Sequence, residues 1–443
     1  MAEYHVENFG CRSSRSDGEA IGAGLRRHGL HPATNCASAD VIIVNTCSVT
    51  ANADSGARAF IRRVHRNNPQ AKIVVTGCYA QRAPEELAAL DGVTSVIGNS
   101  HKSLVAPSIV EPSRFVPLTT LVNSVPVFVD ETFAHANLAT LPFAENANQT
   151  RPNLKVQDGC ANRCSFCIIP ETRGPSRSVS LATCLASVER FVKSGGQELV
   201  LSGINLGRWG RDLRPAWRFV DLVAAILEKT ALSRLRLSSI EPMDWTAELL
   251  ALFTTYSGRL ARHAHLPLQS GSDTILRRMY RRYRPWHYAE RLAQIRTLLP
   301  DAAIGADVMV GFPGETEALF EESYDFIAAQ PVTYLHLFPF SARPATPAAE
   351  LHRLQPVRAQ LVKERMEALR SLAAQKNLAF RKRFLGRELS VVTLKGNDLR
   401  TTPALSDNFI KVEVATICPP NRTMRVRADH LTETGLYANP LRQ

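Results

Sequence analysis

Six of the nine cysteines in this chain fall into two sets of three, and they are the residues best able to do chemistry. The compact set reads Cys160-Ala-Asn-Arg-Cys164-Ser-Phe-Cys167. That spacing can wrap one face of an iron–sulfur cube, with thiolates on three irons and the fourth iron open to bind and reduce a substrate or cofactor. Structural zinc normally takes four ligands, often as two close pairs, and no second pair lies nearby, so zinc is the weaker assignment. The dispersed set is Cys11, Cys47 and Cys78, each directly after an expected strand: HVENFGC, VIIVNTC and KIVVTGC. In a parallel sheet the carboxyl ends of the strands share one edge, where α/β proteins place their ligands, so these three thiols should meet. Gly10, Thr46 and Gly77 before them let the backbone approach a bulky inorganic group closely. The plainer alternative is three ordinary buried cysteines. Cys36, Cys184 and Cys418 stand alone and read as packing residues.

The elements that must position these thiols are legible from hydrophobic patterning. The first hundred residues alternate β-branched runs (YHVENFG, DVIIVN, AKIVVTG) with helical stretches, the first from about Asp17 to His28 and the third from Pro84. This predicts a parallel α/β sheet. Residues 131–153 are polar and aperiodic and read as a linker. A second alternation follows, with expected strands LKVQ, ELVLSG, RLRLSSI, HAHLPL, AIGADVMVG and YLHLFPF. Six β/α units predict an incomplete barrel rather than a closed eight-stranded one. A helix from about Pro356 to Phe384 ends this region. Three short strands (ELSVVTL, NFIKVEV, TMRVRADHL) then predict a small all-β barrel of the kind that binds oligonucleotides.

Composition bounds the class of protein. A length of 443 residues, 45% hydrophobic and 21% charged, suits two to four globular domains and excludes a disordered or fibrous chain. No apolar run approaches the ~20 residues of a membrane span, so a membrane protein is excluded. The amino terminus lacks a basic-then-apolar signal pattern, which predicts a cytoplasmic location where free thiols favour metal over disulfides. The net charge of +12 is concentrated in two segments. Residues 277–291 hold six Arg and one acid, and residues 358–387 hold nine Lys/Arg and two acids. Two local basic patches point to a polyanion, most often nucleic acid; Arg381, Lys382 and Arg383 are the candidate contacts.

The compact triad, with Phe166 before its last cysteine and a six-unit β/α domain behind it, resembles the signature of radical S-adenosylmethionine enzymes. With Cys11, Cys47 and Cys78 in their contexts NFGCRS, NTCSVT and TGCYAQR, nearly the whole chain looks like a methylthiotransferase of that superfamily. The resemblance implies an amino-terminal iron–sulfur domain at 2–130, a radical domain at 154–376 and an RNA-binding TRAM barrel at 378–441. It implies two 4Fe-4S clusters: one on Cys160, Cys164 and Cys167 that cleaves S-adenosylmethionine to a 5′-deoxyadenosyl radical, and a sulfur-delivering one on Cys11, Cys47 and Cys78. A second S-adenosylmethionine would supply the methyl group. Segments NTCSVTANAD, VVTGCYAQ, LSSIEP and DNFIKV resemble the branch acting on N6-threonylcarbamoyladenosine at tRNA position 37. The run Arg12-Ser13-Ser14 stands where that branch commonly carries a Lys-Val-Asn-like run.

Softer matches suggest cofactor contacts. Gly195-Gly196-Gln197-Glu198 resembles the Gly-Gly-Glu motif that receives the cofactor's amino group, and Phe166, Glu241 and Gln269 are further candidates. The segment 265–272 and the segment 305–315 look like strand ends that line the radical site, while Gly311, Pro313 and Gly314 also fit a plain tight turn. The implied partners are tRNA, a reduced electron donor such as flavodoxin or ferredoxin, and the iron–sulfur assembly machinery. Competing readings are a family member acting on isopentenyladenosine in tRNA or on a ribosomal-protein aspartate, and a non-catalytic iron–sulfur RNA-binding protein.

Overall fold

Val41–Thr46 (β3) is buried along its whole length, as a strand covered by helices on both faces must be. The computed structural model describes residues 2–111, 121–122, 125–133, 150–396 and 400–441. In it β3 lies in a seven-stranded sheet, between Glu3–Asn8 (β1) and Lys72–Gly77 (β4). His31–Pro32 (β2) pairs outside β1, and Val93–Gly98 (β5), Val125–Phe128 (β7) and Leu121–Val122 (β6) continue beyond β4. All pairs are parallel except β6 with β7. The alternation of side chains splits the core in two. Ile42, Val44 and Val75 pack with Phe60 and Ile61 of helix α2 (Ala51–Asn67), and Ile43 and Val74 pack with Ile21 and Leu25 of helix α1 (Arg12–Arg27).

The second unit holds six parallel strands in chain order: Asn153–Asp158 (β8), Glu198–Gly203 (β10), Arg234–Leu237 (β11), His263–Gln269 (β12), Ala303–Val310 (β13) and Tyr334–Pro339 (β14). The two-residue β9 (Arg177–Ser178) pairs antiparallel on the β8 edge. Between β11 and β12 the ladder gives way to a single Leu235–Leu260 bridge and the bond from Ile240 N to the His265 carbonyl. The result is the incomplete six-unit barrel expected from the sequence.

The third unit is a closed five-stranded barrel of Glu388–Thr393 (β15), Thr402–Ser406 (β16), Lys411–Val414 (β17), Thr423–Leu431 (β18) and Leu436–Pro440 (β19). The long helix Ala359–Lys382 belongs to both neighbours. Its Met366, Leu369 and Leu372 enter the large core of the six-stranded unit, whereas Phe380 enters that of the barrel. The boundary expected at 376–378 thus falls inside a continuous helix. The expected linker has ordered ends: Phe133 is buried, Arg151 pairs with Glu198 and β8 begins at Asn153. Its residues 134–149 lie outside the described residues.

The small barrel docks at the amino-terminal ends of the six strands. Arg236 donates to the carbonyls of Ser406 and Asp407, Arg262 pairs with Asp407, and the Phe409 ring lies 4.4 Å from that of His263. This closes one end of the open barrel and leaves its carboxyl ends free to build a site. Among the described residues no helix is long and apolar enough to cross a membrane.

Candidate active site

Each cysteine of the dispersed set lies where a strand of the first sheet ends. Cys11 is the N-cap of α1, Cys47 follows β3, and Cys78 is the first residue of α3 (Cys78–Arg82) after β4. Thr46 joins the last two. Its buried hydroxyl donates to the Thr76 carbonyl and accepts from the N–H groups of Tyr79 and Ala80 at the start of α3. Gly10 and Gly77 provide the tight approach, both with positive φ. A Cβ on Gly10 would fall 2.6 Å from the Cys47 sulfur, and one on Gly77 would fall 2.2 Å from the Thr46 carbonyl. Asn99 Nδ2 points at the Cys78 sulfur from 3.4 Å.

Burial, with Cys78 and Cys11 adding to it, pushes the Cys47 thiol up to about 12. Arg173 approaches the same thiols, and a metal that binds thiolates would displace the Cys47 proton here. Behind them sits a buried polar knot. Asp17 accepts from Lys102, Lys155 and Arg173, and although burial opposes its charge these cations hold its carboxyl at about 2.

The compact triad lies on the loop after β8, which is pinned through Ser165. Its N–H and Oγ donate to the carbonyls of Met279 and Arg278, and its own carbonyl accepts from Ala348 N. Cys160 Sγ receives Asn162 N at 3.4 Å and Asn205 Nδ2 at 3.5 Å, and Cys164 Sγ receives Arg281 Nη1 at 3.3 Å. Burial pushes the Cys167 thiol to about 12. Phe166 packs edge-on against Phe312, with centroids 6.5 Å apart.

Both α/β units contribute cysteines to one cavity of about 540 Å³. Cys11 lines it from the first unit, and Cys160, Cys164 and Cys167 line it from the second. Several buried polar atoms on its wall have no partner: Ser202 Oγ, Asn205 Oδ1 and Gln269 Oε1. Orphaned polar atoms at a cavity wall mark the places a polar ligand must satisfy. The donor sets and these atoms therefore fit two iron–sulfur clusters and a polar cofactor such as S-adenosylmethionine. A hydrogen-bonded chain lines the inner wall. Asp307 Oδ1 accepts from His265 at 2.9 Å and His336 at 3.2 Å, and Tyr334 Oη bridges His265 (3.1 Å) and His263 (2.7 Å). Burial raises the Asp307 carboxyl, yet the two imidazoles hold it well below the usual carboxylate range.

Of the candidate cofactor contacts, Phe166, Glu241 and Gln269 line this cavity, Glu241 bonded to Arg281 at 2.5 Å. The Gly195-Gly196-Gln197-Glu198 expectation is corrected. The segment precedes β10, at the strand's opposite end. Asn421 of the small barrel bonds Gly195 O and Gln197 N, while the fully buried Glu198 carboxylate is occupied by Arg151, Arg234 and Arg236. Residues 202–205, at the carboxyl end of the same strand, reach the cavity instead. The RNA expectation at 381–383 is corrected for Arg381. Arg381 is buried and donates to the carbonyls of Thr432, Glu433 and Gly435, Arg383 pairs with Asp301, and only Lys382 is exposed without such a role. The sequence pattern did not mark Arg12, Asn205, Arg281, Tyr334 or His336 as site residues; Asn205 alone had a signal, its position just past a strand end.

Residues 3–98 match the family model described as uncharacterized protein family UPF0004, and residues 154–327 match the radical SAM superfamily. The threonylcarbamoyladenosine tRNA methylthiotransferase MtaB of Aquifex aeolicus is 35% identical over 92% of this chain and 95% of that protein. The protein of that name from Bacillus subtilis is 36% identical over 82% of each chain. A tRNA-2-methylthio-N(6)-dimethylallyladenosine synthase from Parafrankia sp. is 32% identical over 89% of this chain and 78% of that one. Among solved structures, the radical S-adenosylmethionine methyltransferase TsrM from Kitasatospora setae superposes with a TM-score of 0.57 at 15% identity, covering 79% of this chain and 75% of that one. That likeness concerns the fold.

Proposed function

The chain belongs to the radical S-adenosylmethionine methylthiotransferase family, and we propose that it attaches a methylthio group to C2 of N6-threonylcarbamoyladenosine at position 37 of tRNA. The observation that carries this reading is one cavity lined by all three cysteines of the compact set and by Cys11 of the dispersed set, so that both α/β units contribute to it. The relatives that carry the threonylcarbamoyladenosine name favour that nucleoside over dimethylallyladenosine.

In this reading Cys160, Cys164 and Cys167 hold one 4Fe-4S cluster, and Cys11, Cys47 and Cys78 hold the other. When bound, the clusters and S-adenosylmethionine supply the electron, the hydrogen-abstracting radical, the sulfur and the methyl group, chemistry no side chain can provide. The chain's own residues do the positioning. Asn205 and Arg281 donate to the sulfurs of Cys160 and Cys164 and fix their orientation. Ser202 Oγ, Asn205 Oδ1 and Gln269 Oε1 offer hydrogen bonds to polar groups of the cofactor. Glu241 holds Arg281 against Cys164, and the His263–Tyr334–His265–Asp307–His336 chain stiffens the wall where the base must lie. A reduced donor such as flavodoxin or ferredoxin would supply the electron, and the cell's iron–sulfur assembly machinery the clusters. The domain reading is an iron–sulfur unit at 2–130, a radical unit at 154–376 and an RNA-binding barrel at 378–441.

Mass spectrometry of nucleosides from digested tRNA, with and without this chain in the cell, tests the reading. Loss of 2-methylthio-N6-threonylcarbamoyladenosine in the deletion and its return on complementation is the expected result. Loss of the isopentenyl analogue instead would transfer the chain to the other branch.

A further inference from the structure

We propose that Arg12, Ser13 and the first turn of α1 form an anion-binding subsite for the carboxylate on the substrate's N6 threonyl group. This rests on the threonylcarbamoyladenosine reading above and names the feature of the site that selects it. Two guanidiniums line the cavity among the described residues, Arg12 and Arg281. Arg281 is bonded to Glu241 and faces Cys164. Arg12 has no hydrogen bond or ion pair among the described residues, and the carboxylates on the cavity wall, Glu241 and Asp307, are occupied elsewhere. Among the described residues Arg12 is therefore the guanidinium on the cavity wall that no carboxylate pairs.

Two further features point the same way. Arg12 opens a 16-residue helix whose N-cap, Cys11, makes no side-chain capping bond, and whose first turn holds no acid. The first backbone bond of the helix is Arg15 N to Cys11 O, so the N–H groups before it remain available to an anion. Ser13 is 4% exposed, lines the cavity, and its Oγ has no partner. A buried hydroxyl without a partner needs an explanation, and a bound acceptor supplies one. A guanidinium, a hydroxyl and helix-end amides together match a carboxylate. An isopentenyl substituent would give them nothing and would strip water from Arg12, so the same groups reject it.

The placement suits the reaction. Arg12 is adjacent in sequence to Cys11, on the side of the cavity proposed to deliver sulfur. On adenine, C2 and the carbon bearing N6 flank the same ring nitrogen. A base that turns C2 toward that side carries its N6 substituent along the same wall.

The test compares two anticodon stem-loop RNAs, one with the free threonyl carboxylate and one with that group as a neutral carboxamide, using enzyme loaded with both clusters. Wild type should prefer the acid by about 10- to 100-fold in kcat/KM, the range of a charged hydrogen bond, and binding of the two RNAs should differ in the same direction. Arg12→Gln should bring the acid-to-amide ratio near one, Arg12→Lys should retain part of it, and Ser13→Ala should reduce it several-fold. Iron content is measured for each variant, and if Arg12→Gln loses iron the Ser13→Ala ratio decides. Equal use of acid and amide by wild type overturns the inference. So does an Arg12→Gln enzyme that loses both RNAs in proportion, because Arg12 would then serve the RNA backbone phosphate. A wild type that modifies neither RNA but acts on isopentenyladenosine would instead defeat the substrate reading itself.

Discussion

Thr46 shows how a single hydroxyl can place a metal ligand. It satisfies two orphan N–H groups at the start of α3 and so fixes the turn that presents Cys78 beside Cys47. Thr46→Val keeps the shape and leaves both donors buried and unpaired, at a cost of about 1–3 kcal/mol. We expect a lower urea midpoint and a fall in reconstituted iron from about eight toward about four per chain. Full iron with unchanged stability would mean the turn holds itself. The cysteines make a sharper test. Cys47→Ala should keep reductive formation of 5′-deoxyadenosine and lose methylthiolation, whereas Cys164→Ala should lose both, each variant first shown to melt cooperatively. Methylthiolation at the wild-type rate by well-folded Cys47→Ala would make the dispersed set merely structural. Spacing and strand-end position made the thiols legible, because inorganic ligation demands that residue type at those places. Arg281 was not legible: it sits in a basic run, and the sulfur it serves is 117 positions away.

At the scale of elements, β10 shows how a motif can be right in letters and wrong in place. The residues before the strand resemble a cofactor-binding motif, but the strand's direction carries them to the end where the small barrel docks. Glu198 there is a structural anion. Burial raises its carboxyl, but Arg236, Arg151 and Arg234 outweigh burial and hold it at about 2. A depressed carboxylate contributes stability that is complete above its ordinary value near 4.3 and is lost as pH falls through the folded value. Glu198→Gln strands three buried or half-buried cations and should cost about 3–5 kcal/mol. The gap from wild type in urea unfolding should stay constant from pH 8 to pH 5 and narrow only below that. A gap that closes already between pH 8 and pH 6 would assign the effect to another group. Strands were legible where β-branched residues run together. Of the small barrel's five, β16 (TPALS) and β19 (LYANP) were not, because Pro, Ala, Ser and Asn are poor strand formers and closure of the barrel imposes their conformation. Helix α1 begins five residues before its expected start. Its opening Arg-Ser-Ser-Arg-Ser reads as loop, and burial of Ser13, Ser14 and Ser16 against the rest of the fold makes it helical.

For the whole molecule, the question is where a net charge of +12 meets a tRNA. Much of the basic excess in the sequence is spent inside the fold. Arg381 ties a loop of the small barrel, Arg365 bonds Glu315 and Glu317, and the partly buried Arg284 pairs with Asp273. Charge counted along a chain cannot distinguish these from solvent-facing cations. The small barrel closes the amino-terminal end of the six-stranded unit, so the base to be modified must enter from the cysteine side. There Arg163 and Arg282 are exposed and unpaired among the described residues, and with Met243 and the 58% exposed Tyr280 they border a depression that reaches Cys164. Cations interleaved with an exposed aromatic ring are the composition that grips an unstacked RNA loop. Replacing Arg163 and Arg282 with Ala should weaken tRNA binding and lower the slope of log affinity against log salt by about 0.7–0.9 for each phosphate that is no longer neutralised. Tyr280→Ala should cost about 1–3 kcal/mol of binding, as removal of one stacking platform does, with the salt slope unaltered. Arg381→Ala is the control: it should lower stability and leave the slope alone. If the Arg163/Arg282 variant keeps wild-type affinity and slope while Lys382→Ala changes both, the RNA runs along the long helix and the rim beside Cys164 is not its path.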